Sequence, residues 1–64
     1  MKTWNLYARN KEVRKTIETN MPEMVWSFYT EDLLPCYSFD LSQIEALLDK
    51  VGFIPGEDYE IEAG

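Results

Sequence analysis

The sequence predicts a small α+β domain of the split-βαβ, ferredoxin-like type, with two helices on one face of an antiparallel sheet. Three observations support this fold class. Segments of period two and segments of helical period follow one another in the order β-α-β-β-α-β. The 64 residues are enough for one domain with a compact core, spanning 1–64. A hydrophobic content of 45% and an aromatic content of 14% are typical of a folded chain rather than a disordered one.

The first strand is predicted at Lys2–Arg9, because apolar and polar residues alternate there. One face of this strand would carry Trp4, Leu6 and Ala8, and the other would carry Thr3, Asn5 and Tyr7. Asn10 then supplies an N-cap for a helix. The apolar face of this first helix comprises Val13, Ile17 and Met21. Asn20 is typical of a helix C-terminus, and Pro22 prevents the helix from continuing.

Two further strands are predicted before the second helix. Glu23–Thr30 is rich in aromatic and β-branched residues, which favour strands. Alternation would place Met24, Trp26 and Phe28 on one face and Val25, Ser27 and Tyr29 on the other. After a turn at Glu31-Asp32, Leu33–Phe39 is predicted as the third strand, although Pro35 restricts it to a sheet edge or a bulge. In the alternative fold this third strand is a loop, which leaves a three-stranded sheet with two helices.

The second helix is predicted from signals at both of its ends. Asp40 as the N-cap and Gln43 at N3 form a capping box, and Phe39 can pack on Ile44 as a hydrophobic staple. The apolar stripe of this helix comprises Leu41, Ile44, Leu47, Leu48 and Val51. Gly52, followed by Phe53, predicts a Schellman ending.

The last strand is predicted at Asp58–Ala63, after a type II turn at Pro55-Gly56. Alternation would turn Tyr59, Ile61 and Ala63 inward and Asp58, Glu60 and Glu62 outward. With the usual spatial order 4-1-3-2, this fourth strand lies at an edge of the sheet. The sheet face without helices is then open.

The residue inventory excludes several kinds of chemistry. The chain has no histidine and one cysteine, Cys36, which excludes a disulfide, His-containing zinc sites and His-dependent nucleophilic catalysis within one chain. Cys36 is predicted to be a small buried hydrophobe, because its neighbours are acidic rather than cationic. The carboxylate pairs Glu31/Asp32 and Glu57/Asp58 lie beside predicted turns, and so short a chain has little room for a pocket. We therefore expect no enzymatic activity and no cofactor.

Metal binding and membrane insertion are also not expected. The acidic residues near the C-terminus offer oxygen ligands for Ca²⁺ or Mg²⁺, but carboxylates two residues apart on one strand point in parallel and do not converge on an ion. No apolar run approaches the roughly 20 residues of a membrane span, and the first ten residues lack a signal-peptide core. We expect a soluble, cytoplasmic protein.

The charge of the chain is unevenly distributed. The net charge of −6 combines five basic and three acidic residues in 1–30 with one basic and nine acidic residues in 31–64. One interpretation is solubility alone. The other is an acidic face that steers a basic partner toward the C-terminal half.

The favoured interpretation is a non-enzymatic protein-binding module that occupies a basic surface of a nucleic-acid-binding protein. The predicted partner-binding residues are Glu57, Asp58, Glu60, Glu62, Tyr7 and Tyr29. Glu60 and Glu62 are spaced about 6.6–6.8 Å apart along a strand, which is similar to the spacing of successive phosphates. The two tyrosines would add amphipathic contact area on the same open face. The alternative is a solvated edge strand whose charges prevent sheet-to-sheet aggregation.

Two other functions remain open. Sheet aromatics together with the basic cluster at Arg9–Lys15 could bind single-stranded RNA or DNA, although the overall charge of −6 opposes this. Homodimerisation could cover aromatic residues that a small core leaves exposed, as in a self-associating accessory subunit. In size and charge the chain resembles small inhibitors encoded by mobile elements, such as phage proteins that block host nucleic-acid enzymes or CRISPR complexes. This resemblance implies an inhibitor that mimics nucleic acid.

Overall fold

The computed structural model describes residues 2–30 and 32–64 and confirms the α+β class. Its elements are β1 (Thr3–Ala8), α1 (Lys11–Asn20), β2 (Leu33–Tyr37), α2 (Ser38–Val51) and β3 (Tyr59–Ala63). The strands form one antiparallel sheet in the order β2-β1-β3. Here β1, β2 and β3 correspond to the predicted first, third and fourth strands. The observed order is therefore the expected order 4-1-3-2 with strand 2 missing, and the full ferredoxin-like topology is absent from the described residues.

The predicted strand at Glu23–Thr30 is wrong, because this segment has no strand pairing. The predicted third strand is present and is shortened to Leu33–Tyr37. The alternative fold correctly has three strands. It makes Leu33–Phe39 a loop, however, whereas in the structure Glu23–Thr30 is the segment that forms no strand. The predicted turn at Glu31-Asp32 lies partly outside the described residues, since Glu31 is not among them.

Pro35 explains why no fourth strand pairs with β2. Backbone bonds from Ala8 N to the oxygen of Asp32 (2.8 Å) and from Ser38 N to the oxygen of Lys2 (3.3 Å) continue the β1–β2 ladder at both ends. In that register the even-numbered residues of β2 bond to β1 and the odd-numbered ones face outward. Pro35 therefore lies on the outer edge, where it has no N–H for a neighbouring strand.

The segment before β2 packs against the core without forming a ladder. Its backbone bonds to β2 meet at Leu33, whose oxygen accepts from Ser27 N at 2.7 Å and whose N donates to the oxygen of Thr30 at 3.1 Å. Met24 and Trp26 pack against the core, as expected for that face. Phe28 does not join them, because its side chain is 97% exposed.

The core lies between the helices and one face of the sheet. Its buried residues are Leu6, Ala8, Val13, Ile17, Met21, Leu34, Cys36, Leu41, Ile44, Leu48 and Tyr59. The strand members alternate as predicted, so both helices cover the same face. Two expected core residues, Val51 and Ala63, are exposed because each ends its element beyond the reach of the opposing layer.

Helix α1 has the predicted ends. The side chain of Asn10 accepts a hydrogen bond from Glu12 N at 3.0 Å, which confirms the N-cap. The side chain of Asn20 donates to the carbonyl oxygen of Thr16 at 2.8 Å and so satisfies a carbonyl in the last turn.

The start of α2 differs from the prediction. The helix begins at Ser38, and its N-cap Tyr37 makes no side-chain capping bond. Asp40 is therefore the third helical residue, and the capping box with Gln43 is wrong. The staple is also wrong, because Phe39 is inside the helix and stacks on Tyr37. The chain passes directly from the β1–β2 ladder into the helix, which leaves no separate residue for the cap.

The C-terminus of α2 and the following turn match the prediction. Gly52 N donates to the carbonyl oxygen of Asp49 at 3.1 Å, and Phe53 N donates to that of Leu48 at 3.0 Å, which is a Schellman ending. Gly52 has a φ of 104°. In the next turn Gly56 has a φ of 89°, as the i+2 residue of a type II turn requires.

Replacing Gly52 with alanine should reduce the free energy of unfolding by about 1–2 kcal/mol. No atom lies within 4 Å of the added Cβ, so the loss would come from the backbone conformation at a φ of +104°. Chemical denaturation would measure it. Gly52→Asn is the matched control and should lose less, because asparagine tolerates a positive φ better. Equal stability of wild type and Gly52→Ala would contradict this account of the helix ending.

Candidate functional site

The sheet face opposite the helices is open and carries two kinds of side chain. Its residues are Thr3, Asn5 and Tyr7 of β1, Leu33, Pro35 and Tyr37 of β2, and Glu60 and Glu62 of β3. In the strand register Tyr7 lies between Leu33 and Glu60. Asn5 lies between Pro35 and Glu62 in the same way. The face therefore has an apolar side along β2 and an acidic side along β3, with Tyr7 between them as predicted.

The predicted acidic row, Glu57, Asp58, Glu60 and Glu62, has a basic neighbour that the sequence alone did not indicate. Arg9 Nη2 lies 2.7 Å from Glu60 Oε2, and the two side chains are 54% and 42% exposed. Arg9 follows the residues of β1 that pair with β3, so its side chain reaches Glu60 diagonally across the ladder. An ion pair this exposed contributes at most about 1 kcal/mol. Such a weak pair does little to prevent Glu60 from binding another cationic group in place of Arg9.

Asp58 is partly buried, and its carboxylate is engaged in hydrogen bonds within the chain. Its Oδ2 accepts from Ile54 N at 2.9 Å, and its Oδ1 accepts from Asn10 Nδ2 at 3.3 Å. Its carbonyl oxygen accepts from Arg9 N and Asn10 N. This residue joins the turn before β3 to the start of α1. Of the predicted acidic row, Glu57 and Glu62 are exposed, Glu60 is partly exposed, and the carboxylate of Asp58 is occupied.

Tyr29 does not lie on the sheet face, because its segment is not a strand. Its side chain is 95% exposed and contacts Phe28 edge-to-face, with the ring centroids 5.9 Å apart. It lines a groove formed with the first turns of α1. The prediction that Tyr7 and Tyr29 share a face is therefore wrong.

Sequence reasoning missed an aromatic pair beside the open face. The rings of Tyr37 and Phe39 are stacked with their centroids 5.9 Å apart, and both side chains are about half exposed. The sequence contains one signal for Tyr37, since Leu33, Pro35 and Tyr37 alternate with two buried residues. The stacking itself depends on the immediate passage from β2 into α2, which no local pattern indicated.

Cys36 is a buried hydrophobe, as predicted. Its thiol donates weakly to the carbonyl oxygen of Trp4 at 3.6 Å. Burial, followed by the negative charges of Asp40 and Glu45, raises the pKa of the thiol from 9.0 to about 11. Burial, with Glu45 and Asp49, likewise raises the pKa of Tyr59. The thiol is consequently protonated near neutral pH and is a poor nucleophile.

The sequence predicted little room for a pocket, and the concave regions of the described residues are open grooves on the surface. Two open surface grooves are present, with volumes of about 690 and 540 Å³. Within residues 2–30 and 32–64, however, no three acidic or cysteine side chains come close enough together to hold a metal ion.

The comparisons with known proteins add no family to this description. No protein-family model, curated protein or solved structure matches the chain. None of the helices in the described part of the chain has the length and apolar character needed to span a membrane.

Replacing Asp58 with alanine should reduce the free energy of unfolding by about 1–2 kcal/mol, because it removes the two hydrogen bonds that Ile54 N and Asn10 Nδ2 donate to its carboxylate. Thermal or chemical denaturation would measure the loss. The neighbouring Glu57→Ala is the matched control and should change stability by less than about 0.5 kcal/mol. Equal effects of the two substitutions would show that Asp58 does not stabilise this turn.

Stability should fall as the pH rises from 9 toward 11, because the unfolded thiol of Cys36 ionises first and the folded thiol keeps its proton. The full effect of this thiol is about 2–3 kcal/mol. Urea denaturation below pH 9 and near pH 11 would measure it in wild type and in Cys36→Ala. The variant should have a smaller loss over this range, because it lacks the Cys36 thiol, whereas Tyr59 titrates in both proteins. Identical losses would contradict the raised pKa.

Proposed function

We propose that the chain is a small, acidic, non-enzymatic protein-binding module. Its open sheet face would dock on a basic surface of a nucleic-acid-binding protein and so inhibit nucleic-acid binding there. The observation that carries the proposal is the composition of this face, where an acidic strand and an apolar strand flank Tyr7. Protein interfaces combine aromatic anchors at the centre with charged groups at the rim in this way.

The acidic side supports a basic partner. Glu57 and Glu62 are exposed, and Glu60 is held only by its weak pair with Arg9. Glu60 and Glu62 lie on the same face of β3, about 6.6–6.8 Å apart. Lysine and arginine side chains that bind successive phosphates could bind these two carboxylates at a similar spacing. The net charge of −6 would also speed the encounter with a cationic surface.

The apolar side supplies the contact area that the charges lack. A three-stranded face of this length is about 14 Å wide and about 17 Å long, which is well below the roughly 800 Å² that each partner buries in a typical interface. The stacked rings of Tyr37 and Phe39 extend the face beyond β2. Rigid aromatic groups of this kind are typical binding hot spots.

The geometry favours a protein over the two alternative partners. Bases stacked on Tyr7 would bring phosphates close to Glu60 and Glu62, which repel them. The bonds Arg9 N to Asp58 O and Gly64 N to Thr3 O show that the outer edge of β3 is formed by the backbone of its odd-numbered residues. Antiparallel pairing of two copies at that edge would place their glutamates on the same face, side by side, and like charges there are destabilising.

Replacing Glu60 and Glu62 together with glutamine should weaken binding to the partner by about tenfold or more at low salt and reduce its salt dependence. Wild-type chain would first capture the partner from host lysate. The purified partner would then be titrated calorimetrically with each variant at low and high salt. The fold should persist, because the one ion pair that these substitutions remove among residues 2–30 and 32–64 is the exposed Arg9–Glu60 pair.

The matched control is Glu45→Gln with Asp49→Asn, which removes the same charge from exposed positions of α2 on the other side of the sheet. This control should retain most of the affinity. An equal loss of affinity in both double variants would contradict a role for the open face, because the net charge alone would then explain binding. Capture of RNA or DNA, or of the chain itself, in place of a basic protein would favour one of the alternative functions.

A further inference from the structure

The larger groove is lined mainly by residues of the N-terminal half of the chain, which holds five of the six basic residues. It has a volume of about 690 Å³ and is formed by the end of β1, one side of α1 and the segment before β2. Its basic lining residues are Arg9, Lys11, Arg14 and Lys15. Two acidic residues, Glu18 and Asp32, also line it, so the lining carries a local excess of positive charge in a chain of net charge −6.

The four cations of this groove differ in availability. Arg9 is paired with Glu60, and Arg14 binds Glu18 and lies over the ring of Trp26. Neither Lys11 nor Lys15 forms an ion pair with any residue in 2–30 or 32–64. These two lysines are four residues apart on α1, so their side chains lie on the same side of the helix. They are therefore the cations that an incoming anion would meet.

An aromatic ring borders the same groove. Tyr29 is 95% exposed, and Phe28 contacts it edge-to-face at 5.9 Å, so at least one face of the tyrosine ring is open to a planar ligand group. Its position is set locally, because Tyr29 N donates to Ser27 Oγ and Ser27 N donates to the carbonyl oxygen of Leu33. The backbone of Tyr29 is thus connected to β2 through two consecutive hydrogen bonds.

We propose that this groove binds a nucleoside phosphate, with the phosphates between Lys11 and Lys15 and the base on Tyr29. The groove volume lies within the range of about 300–1,000 Å³ that small-molecule sites occupy. Aromatic side chains stack on any nucleobase, because every base has a π-face. A small anion satisfies the local positive charge without extending over the acidic remainder of the surface. A long nucleic-acid strand would meet that remainder and be repelled.

This inference is independent of the proposed protein-binding function. It uses no side chain of the open face as a ligand, and its main residues, Lys11, Lys15 and Tyr29, lie outside that face. Failure of either proposal leaves the other unaffected.

The test is calorimetric titration of the chain with ATP, with inorganic tripolyphosphate and with adenosine, in the absence of divalent cations. ATP should bind at least about fivefold more tightly than tripolyphosphate, because stacking adds to the phosphate contacts. Lys11→Gln with Lys15→Gln should weaken ATP binding by about tenfold or more. Tyr29→Ala should weaken ATP binding and leave tripolyphosphate binding unchanged. All three side chains lie on the surface, so circular dichroism should show an unaltered fold.

The matched control is Lys2→Gln with Lys50→Gln, which removes the same charge from outside the groove and should change ATP affinity less than about twofold. An equal loss in both double variants would overturn the site, since net charge alone would then explain binding. Tripolyphosphate binding as tight as ATP would overturn base recognition. Absence of ATP binding up to about 1 mM, or tighter binding of single-stranded DNA than of ATP, would overturn the proposed ligand.

Discussion

The whole sheet depends on the double alternation of β1, its central strand. The even-numbered residues of β1 turn their side chains toward the helices and their backbone groups toward β2. The odd-numbered residues turn their side chains toward the open face and their backbone groups toward β3. Leu6 lies at the middle of this strand and is fully buried. Because β2 and β3 meet only through β1, a slip of one residue in this strand would exchange the core with the exposed surface.

The two edges of the sheet are protected in different ways, and the open face reflects both. At the β2 edge Pro35 removes a donor, and Ser27 occupies the neighbouring carbonyl. At the β3 edge the strand is short and carries Glu60 and Glu62, whose charges oppose pairing with another strand. The same features make one side of the face apolar and the other acidic. The features that oppose strand pairing at the two edges are thus the same ones that give the open face its apolar and acidic sides.

Some of the fold could be read from neighbouring residues alone. The N-cap of α1 and the Schellman ending at Gly52 depend on contacts within about five residues, and both are confirmed. The strand at Glu23–Thr30 was predicted by the same local reasoning and is wrong. Its aromatic residues fit a strand equally well, but pairing needed an outer edge of β2 that Pro35 does not provide. The predicted start of α2 is wrong for a similar reason, since the helix begins where the β1–β2 ladder ends and not after Asp40.

Local patterns in the sequence were enough to predict the class of the fold, the helix ends that are capped locally, the burial of Cys36 and the position of Tyr7 on an open face. Each of these follows from a periodicity or from hydrogen bonds that close within a few residues. The tertiary structure alone decided which strands pair, that Arg9 reaches Glu60, and that the lysines of α1 share a groove with Tyr29. These contacts join residues far apart in the chain, so they exist only after β1 has brought both of its neighbours into register.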